Sequence, residues 1–312
     1  MTMKTYALVA FDESPKITQV EKPTPGAGEV LVKVRAASVN GFDLSVANGY
    51  LQEMMERRFP VVLGKDFAGT VEAVGELVDG YAVGDRVFGV VTKDYLGDGS
   101  FGEYVTVPVA VGIAKLPENV DFTRAGALGL AGTAAVDSFD GAAITEGQTV
   151  LVVGATGGVG QQAVQLAARA GATVIATADT QKTIASVTAL GAAHTVDFTG
   201  DISAQLGDIA PGGVDVVMHF ADDPGPLITL VKSGGKFVST MLGGPDAVQA
   251  EGVEVVSIYA NPSQETLDRV AANESTGHTR VNIQQVFPLA ETDQAFAAFT
   301  AGTLGKIAIS VN

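Results

Sequence analysis

Val150-Leu151-Val152-Val153-Gly154-Ala155-Thr156-Gly157-Gly158-Val159-Gly160 is the stretch on which the fold turns. Its four leading apolar residues form a short unbroken run, the pattern of a strand covered on both faces. The glycine-rich run permits a sharp turn. From Gly160 to Ala170 the spacing predicts a helix, with Val159, Ala163, Leu166, Ala167 and Ala170 on one buried stripe. Gly171 stops it, and Thr173 to Thr177 is the next strand. A glycine fingerprint carries meaning in this order of strand, turn and helix. Small side chains let a pyrophosphate approach the backbone, and the free N–H groups of the first helical turn bind that anion. Gly160 lets helix and sheet pack closely. A dinucleotide is the implied ligand. The alternative is a tight strand-to-helix turn serving some other ligand.

Working outward, strands are predicted near Thr195 to Asp197, Val214 to His219, Lys236 to Thr240 and Val253 to Ile258. Helical segments start near Gln181 and Pro226, and Thr123 is placed as the N-cap of a helix from Arg124 to Thr133. This alternation predicts an α/β domain with a mostly parallel sheet. Ahead of it the chain reads as strands and turns. Val30, Val32 and Val34 alternate with Lys33 and Arg35, Val61 to Val74 is extended, and Phe101 to Val107 alternates again, as in a compact β-barrel domain. Gln52 to Arg58 is expected to be a short helix within it. In the tail, Ser263 caps a helix to about Glu274, Glu291 to Ala301 is helical, and Lys306 to Val311 is a strand expected to return to the first domain.

Hydrophobic residues make up 46% of the 312 and charged ones 17%, enough to bury a real core. The formal charge of -16 disfavours nucleic acid and anionic lipid as partners. No apolar run approaches the ~20 residues that span a bilayer, and the N-terminus lacks a secretory leader, so a soluble cytoplasmic protein is expected. With no cysteine and only the scattered His194, His219 and His278, neither disulfides nor a zinc site is expected.

The second strand bears on the choice of dinucleotide. An NAD site carries an acid at that strand's end. Here Ala178 follows Thr177, and Asp179 comes one position late. Lys182 can reach a 2′-phosphate and Thr180 can donate to it, whereas Asp179 fits a helix N-cap at least as well. NADPH is the expected cofactor.

Seven motifs in order resemble zinc-free medium-chain dehydrogenase/reductases of the quinone oxidoreductase, ζ-crystallin-like branch. They are Ala37-Ser38-Val39-Asn40-Gly41-Phe42-Asp43, the run from Pro60 to Val71, Gly84 to Gly89, Gly99 to Tyr104, the glycine turn, Ser233-Gly234-Gly235-Lys236, and Gly305-Lys306-Ile307. Leu128 to Ala134 also resembles the family segment beside the nicotinamide. The resemblance implies a GroES-like β-barrel catalytic domain (1–122), a Rossmann-type doubly wound parallel-sheet domain that binds NADP (123–262), and a tail (263–312) returning to the first, with the active site in the cleft between the domains. It also implies roles. Asn40 lies at the cleft floor, Tyr50 borders the acceptor pocket, and Thr133 lies beside the nicotinamide. Gly157, Gly158 and Val159 form the pyrophosphate turn, and Lys182 favours NADPH. A homodimer is implied, with Val253 to Ile258 as a pairing edge. Two segments depart from the family pattern: Phe220-Ala221-Asp222-Asp223-Pro224-Gly225, where a glycine pair is usual, and Met241-Leu242-Gly243-Gly244-Pro245.

Together these readings imply hydride transfer from NADPH to a quinone or to the carbon–carbon double bond of an enone or enal, with Asn40, Tyr50 and backbone N–H groups as candidate donors to the developing oxyanion. The alternatives are a zinc-free dehydrogenase acting on another small carbonyl, and a non-catalytic NADPH-binding protein with a structural or sensing role.

Overall fold

A computed structural model describes residues 1–10, 13–51 and 54–312. The chain forms two compact units. The first comprises Met1–Ala131, Pro262–Gly277 and Val281–Asn312, and the second Gly132–Asn261 with His278–Arg280.

The first unit is built on strands β1 (Glu29–Ser38), β2 (Asp66–Val74) and β3 (Arg86–Val90), which pair antiparallel in that order. The closing strand Lys306–Ser310 pairs antiparallel with the end of β1, placing Ala308 opposite Ser38. On its other side the closing strand pairs parallel with Ile283–Pro288, which forms that edge of the sheet. Val30, Val32, Val34, Phe67, Val71, Ile307 and Ile309 are among the residues of its core. Helix α1 (Gly41–Ala47) follows β1 directly.

Two expectations fail in this unit. Glu56–Arg57 is a strand paired with Tyr95–Leu96, not part of a helix, while Gln52 and Glu53 lie outside the described residues. Sheet pairing outweighs a short run of helix formers that has no amphipathic face of its own. The helix expected from Arg124 to Thr133 is divided. Asp121, not Thr123, caps a single turn (Phe122–Ala125), and α2 (Gly129–Ala142) starts afresh after it. A Cβ on Gly129 would lie 2.3 Å from the Gly89 carbonyl oxygen, so the new helix begins where only glycine fits against β3.

The second unit holds a six-stranded parallel sheet of β4 (Thr149–Val153), β5 (Thr173–Thr177), β6 (His194–Val196), β7 (Val214–His219), β8 (Val231–Ser239) and β9 (Glu254–Ser257), in the spatial order β6-β5-β4-β7-β8-β9. Alternate residues feed two cores. Val150, Val152, Val174, Ala176, Val216 and Met218 lie in one, and Leu151, Val153, Ile175, Val217 and Phe237 in the other. Covering on both faces explains why these strands read as unbroken apolar runs. Strand order reverses between β4 and β7, which makes the crevice at their carboxyl ends the topological switch point. Helix α3 (Gly158–Arg169) follows β4 and α4 (Gln181–Ala189) follows β5. A helix at Ile202–Ile209, capped by the Asp201 side chain, has no counterpart in the sequence reading.

Candidate functional site

In the second unit the glycine turn closes the end of β4. Gly157 is the N-cap of α3 in extended conformation, and Gly158 and Val159 open the helix. A Cβ on Gly160 would meet the Gly154 carbonyl oxygen at 2.1 Å, so the helix sits closer to the turn than any side chain permits. Thr177, at the end of β5, holds the turn from beside it. Its Oγ1 accepts the Gly154 N–H at 3.0 Å and the Ala155 N–H at 3.4 Å. The cradle is lined by small residues, and a helix start offers N–H groups that lack intrahelical partners, which fits the pyrophosphate of a dinucleotide.

Beyond β5, Thr180 is the N-cap of α4, accepting the Thr183 N–H at 3.2 Å. Asp179, the expected alternative cap, does not fill that position. Its Oδ1 instead accepts from the Thr183 hydroxyl at 3.1 Å, which gives the carboxylate a local partner. Lys182 is exposed on the first turn of α4. Thr133, on α2, is fully buried, and its hydroxyl has no hydrogen-bond partner among the described residues. An orphaned buried hydroxyl of this kind suits a site completed by a bound polar group.

In the first unit, Asn40 precedes α1 and is 8% exposed. Its side chain joins a buried charged cluster. Asp66, at the start of β2, accepts from Ser38 Oγ at 2.5 Å, Asn40 Nδ2 at 2.9 Å and Lys306 Nζ at 3.3 Å on one oxygen, and from the Leu130 N–H at 2.6 Å on the other. Lys306 Nζ donates further to Asn40 Oδ1 at 2.6 Å and to the Val39 carbonyl at 3.2 Å. Three ammonium hydrogens therefore meet three acceptors. Asn40 Nδ2 also makes a long 3.4 Å contact with the Ser38 carbonyl.

Asp43, on the first turn of α1, accepts the Asn40 N–H at 2.8 Å. Its carboxyl is pushed up to about 7. Burial is the main cause and the neighbouring Asp66 adds to it, while the Asn40 N–H, Lys306 and Lys65 oppose it. Lys65 is drawn below its ordinary value, chiefly by burial, with Asp43 and Asp66 opposing. Its ammonium donates to the Val91 carbonyl and lies 4.8 Å from the Phe42 ring centroid.

Tyr50 sits beyond the other end of α1, about 10 Å of helix from Asn40, and is 76% exposed. The two are not brought together. Asn40 is committed to the charged cluster, whereas Tyr50 is exposed. The sequence reading assigned no role to Asp66, Lys306, Asp43 or Lys65. The available signal is a charge at the head of an otherwise apolar strand, as in Asp66-Phe67-Ala68 and Lys306-Ile307-Ala308.

Comparison with known proteins agrees with both units. Residues 26–118 match the alcohol dehydrogenase GroES-like domain and residues 158–270 the zinc-binding dehydrogenase family. A chloroplast envelope quinone oxidoreductase homolog of Arabidopsis thaliana is 30% identical, with 93% of this chain and 92% of that protein covered. A mycocerosic acid synthase-like polyketide synthase of Mycolicibacterium smegmatis is 36% identical over 72% of this chain, which spans only 11% of that protein's length. Among solved structures, the quinone oxidoreductase from Coxiella burnetii superposes with a TM-score of 0.90 at 26% identity, covering 100% of both chains. The chain belongs to the medium-chain dehydrogenase/reductase superfamily, in its zinc-free, quinone-oxidoreductase-like branch. Although one matching family is named for zinc, the sequence has no cysteine, and the described residues contain no group of three or more His, Asp or Glu that could hold a metal ion. No helix among the described residues is long and apolar enough to cross a membrane.

Proposed function

We propose that this protein uses NADPH to reduce quinones or the carbon–carbon double bond of α,β-unsaturated ketones and aldehydes. The glycine cradle at the switch point of the parallel sheet carries the reading. The relatives named as quinone oxidoreductases, similar over more than nine-tenths of this chain, support the substrate class. When bound, the dinucleotide supplies hydride from its nicotinamide. The protein's own residues bind and orient. Gly157, Gly158 and Val159 hold the pyrophosphate, Thr133 supplies a hydroxyl beside the nicotinamide, and Thr180 and Lys182 meet the 2′-phosphate. Negative charge gathers on the acceptor's carbonyl oxygen as hydride arrives, and donors aimed at that oxygen lower the barrier. Tyr50, whose hydroxyl makes no hydrogen bond among the described residues, is a donor for this. Asn40 has only the N–H of its long contact to the Ser38 carbonyl left to offer. The proton that completes the product comes from Tyr50 or from water.

The test is NADPH consumption with 1,4-benzoquinone, 9,10-phenanthrenequinone and cyclohexenone. Turnover of at least one acceptor is expected, and none with any of them would overturn the reading. Tyr50→Phe should lower the maximal rate about tenfold or more with unchanged NADPH affinity, and should affect cyclohexenone more than the quinones. Equal rates would remove Tyr50 from the chemistry.

Cofactor preference rests on Lys182, whose ammonium makes no ion pair among the described residues, and on Ala178, the residue after β5. NADPH is expected to bind more tightly than NADH. Lys182→Ala should weaken NADPH about tenfold and leave NADH nearly unchanged, as read by fluorescence titration. The functional unit is a homodimer in which β9, the edge of the parallel sheet, pairs with a second copy across a two-fold axis.

A further inference from the structure

We propose that His219 is a positioning residue for the dinucleotide, acting through the two loops that rim the switch-point crevice; this rests on the reading that the protein binds NADPH. His219 is the last residue of β7. It is fully buried and lies in register with Val153 at the end of β4 and with Ser239 at the end of β8. Both of its ring nitrogens are engaged. Nε2 lies 3.1 Å from the Asp222 carbonyl oxygen. A carbonyl only accepts, so Nε2 carries the hydrogen and Nδ1 of the neutral ring accepts. Nδ1 lies 2.8 Å from Ser239 Oγ, which itself accepts the Met241 N–H at 3.0 Å. The hydrogen bonds therefore run in one direction: Met241 N–H to Ser239, Ser239 O–H to His219, and His219 N–H to Asp222.

One imidazole thus ties the loop after β7 to the loop after β8. The first loop needs a tie. Asp222 sits at φ 71, a left-handed conformation that a residue with a side chain holds only when its surroundings impose it. That loop also forms a wall of the glycine cradle, since a Cβ on Gly154 would lie 3.0 Å from Ala221 Cβ and 3.2 Å from the Phe220 carbonyl carbon. Releasing Asp222 frees the wall against which Gly154 is placed. Met241, held by Ser239, begins the second loop. His219 is thus the residue that joins the two loops.

The experiment compares His219→Phe, which removes both hydrogen bonds but keeps a ring, with His219→Gln, whose amide nitrogen can still donate to Asp222. NADPH affinity is read by fluorescence titration, and exchange of the backbone amides in 220–223 and of Met241 by mass spectrometry. His219→Phe is expected to weaken NADPH about tenfold, as for the loss of two buried hydrogen bonds, and to speed exchange in both loops. His219→Gln should recover most of the affinity and the protection in 220–223, while Met241 still exchanges faster. Wild-type affinity in both variants would overturn the inference and leave NADPH binding intact. So would equal weakening in both together with a shared fall in the urea midpoint, which would mark His219 as packing alone. Failure of the unaltered protein to bind NADPH would overturn the parent reading and this inference with it.

Discussion

Replacing Asp66 with alanine is expected to cost about 3–5 kcal/mol of folding stability, because it removes the carboxylate that pairs directly with the buried Lys306 ammonium. Both side chains are at most 4% exposed. The loss is not confined to the ion pair. Asp66 Oδ1 takes the Leu130 N–H, one of the donors that a helix start leaves without an internal partner, so the carboxylate also caps α2 from outside. Ser38 Oγ and Asn40 Nδ2 lose their acceptor as well. Lys306→Met should cost less, since Asp66 then keeps three neutral donors and the methionine chain fills most of the lysine's volume. In the double variant the penalties should fall short of additive by about 2 kcal/mol or more, because neither buried charge is left alone. Urea unfolding of the four proteins measures this. Strict additivity would mean that the pair carries no coupling and that Asp66 acts through its neutral partners only.

The glycine turn and the charged cluster differ in how far each can be read from sequence. Strand, turn and helix from Val150 to Ala170 are local. Each residue's role depends on neighbours a few positions away, and the structure reproduces the reading with the helix starting at Gly158 instead of Gly160. The cluster joins residues 240 positions apart, Asp66 and Lys306, through a pairing of the closing strand with β1 that no periodicity reveals. Asn40 is legible only through the family-like motif it lies in, and its partners are not legible at all. The strand Ile283–Pro288 escaped for another reason. It is largely exposed, so it lacks the alternation that marks a half-buried strand. Ile202–Ile209 has a capping aspartate, but Gly207 and Asp208 within it are poor helix formers, and its stability comes from packing on the sheet. Val214 to His219 is legible as a strand that ends at His219, but the two hydrogen bonds of its ring depend on loops whose course the sequence does not specify.

Asp43 should make the protein less stable as pH rises from about 4 to 7. The unfolded carboxyl titrates near 3.8, whereas burial holds the folded one at about 7. Between those values the folded state binds the extra proton, so stability is greatest below the lower value and is lost progressively as pH climbs to the upper one. Across the whole window the loss is on the order of 4 kcal/mol. His219 acts with the opposite sign. Burial holds its ring below the free value of 6.5, so its contribution falls as pH drops beneath that value. The two trends overlap, and the wild-type curve alone does not separate them. Asp43→Asn does. The amide oxygen can still accept the Asn40 N–H, the charge is gone, and His219 is untouched. The difference in unfolding free energy between variant and wild type cancels the histidine and leaves Asp43. That difference should grow in the variant's favour from pH 4 to pH 7 and then level off, as read from urea midpoints at unit intervals of pH. Parallel curves would mean that Asp43 is ionised in the folded protein at pH 5, with Lys65 and Lys306 compensating its charge in full.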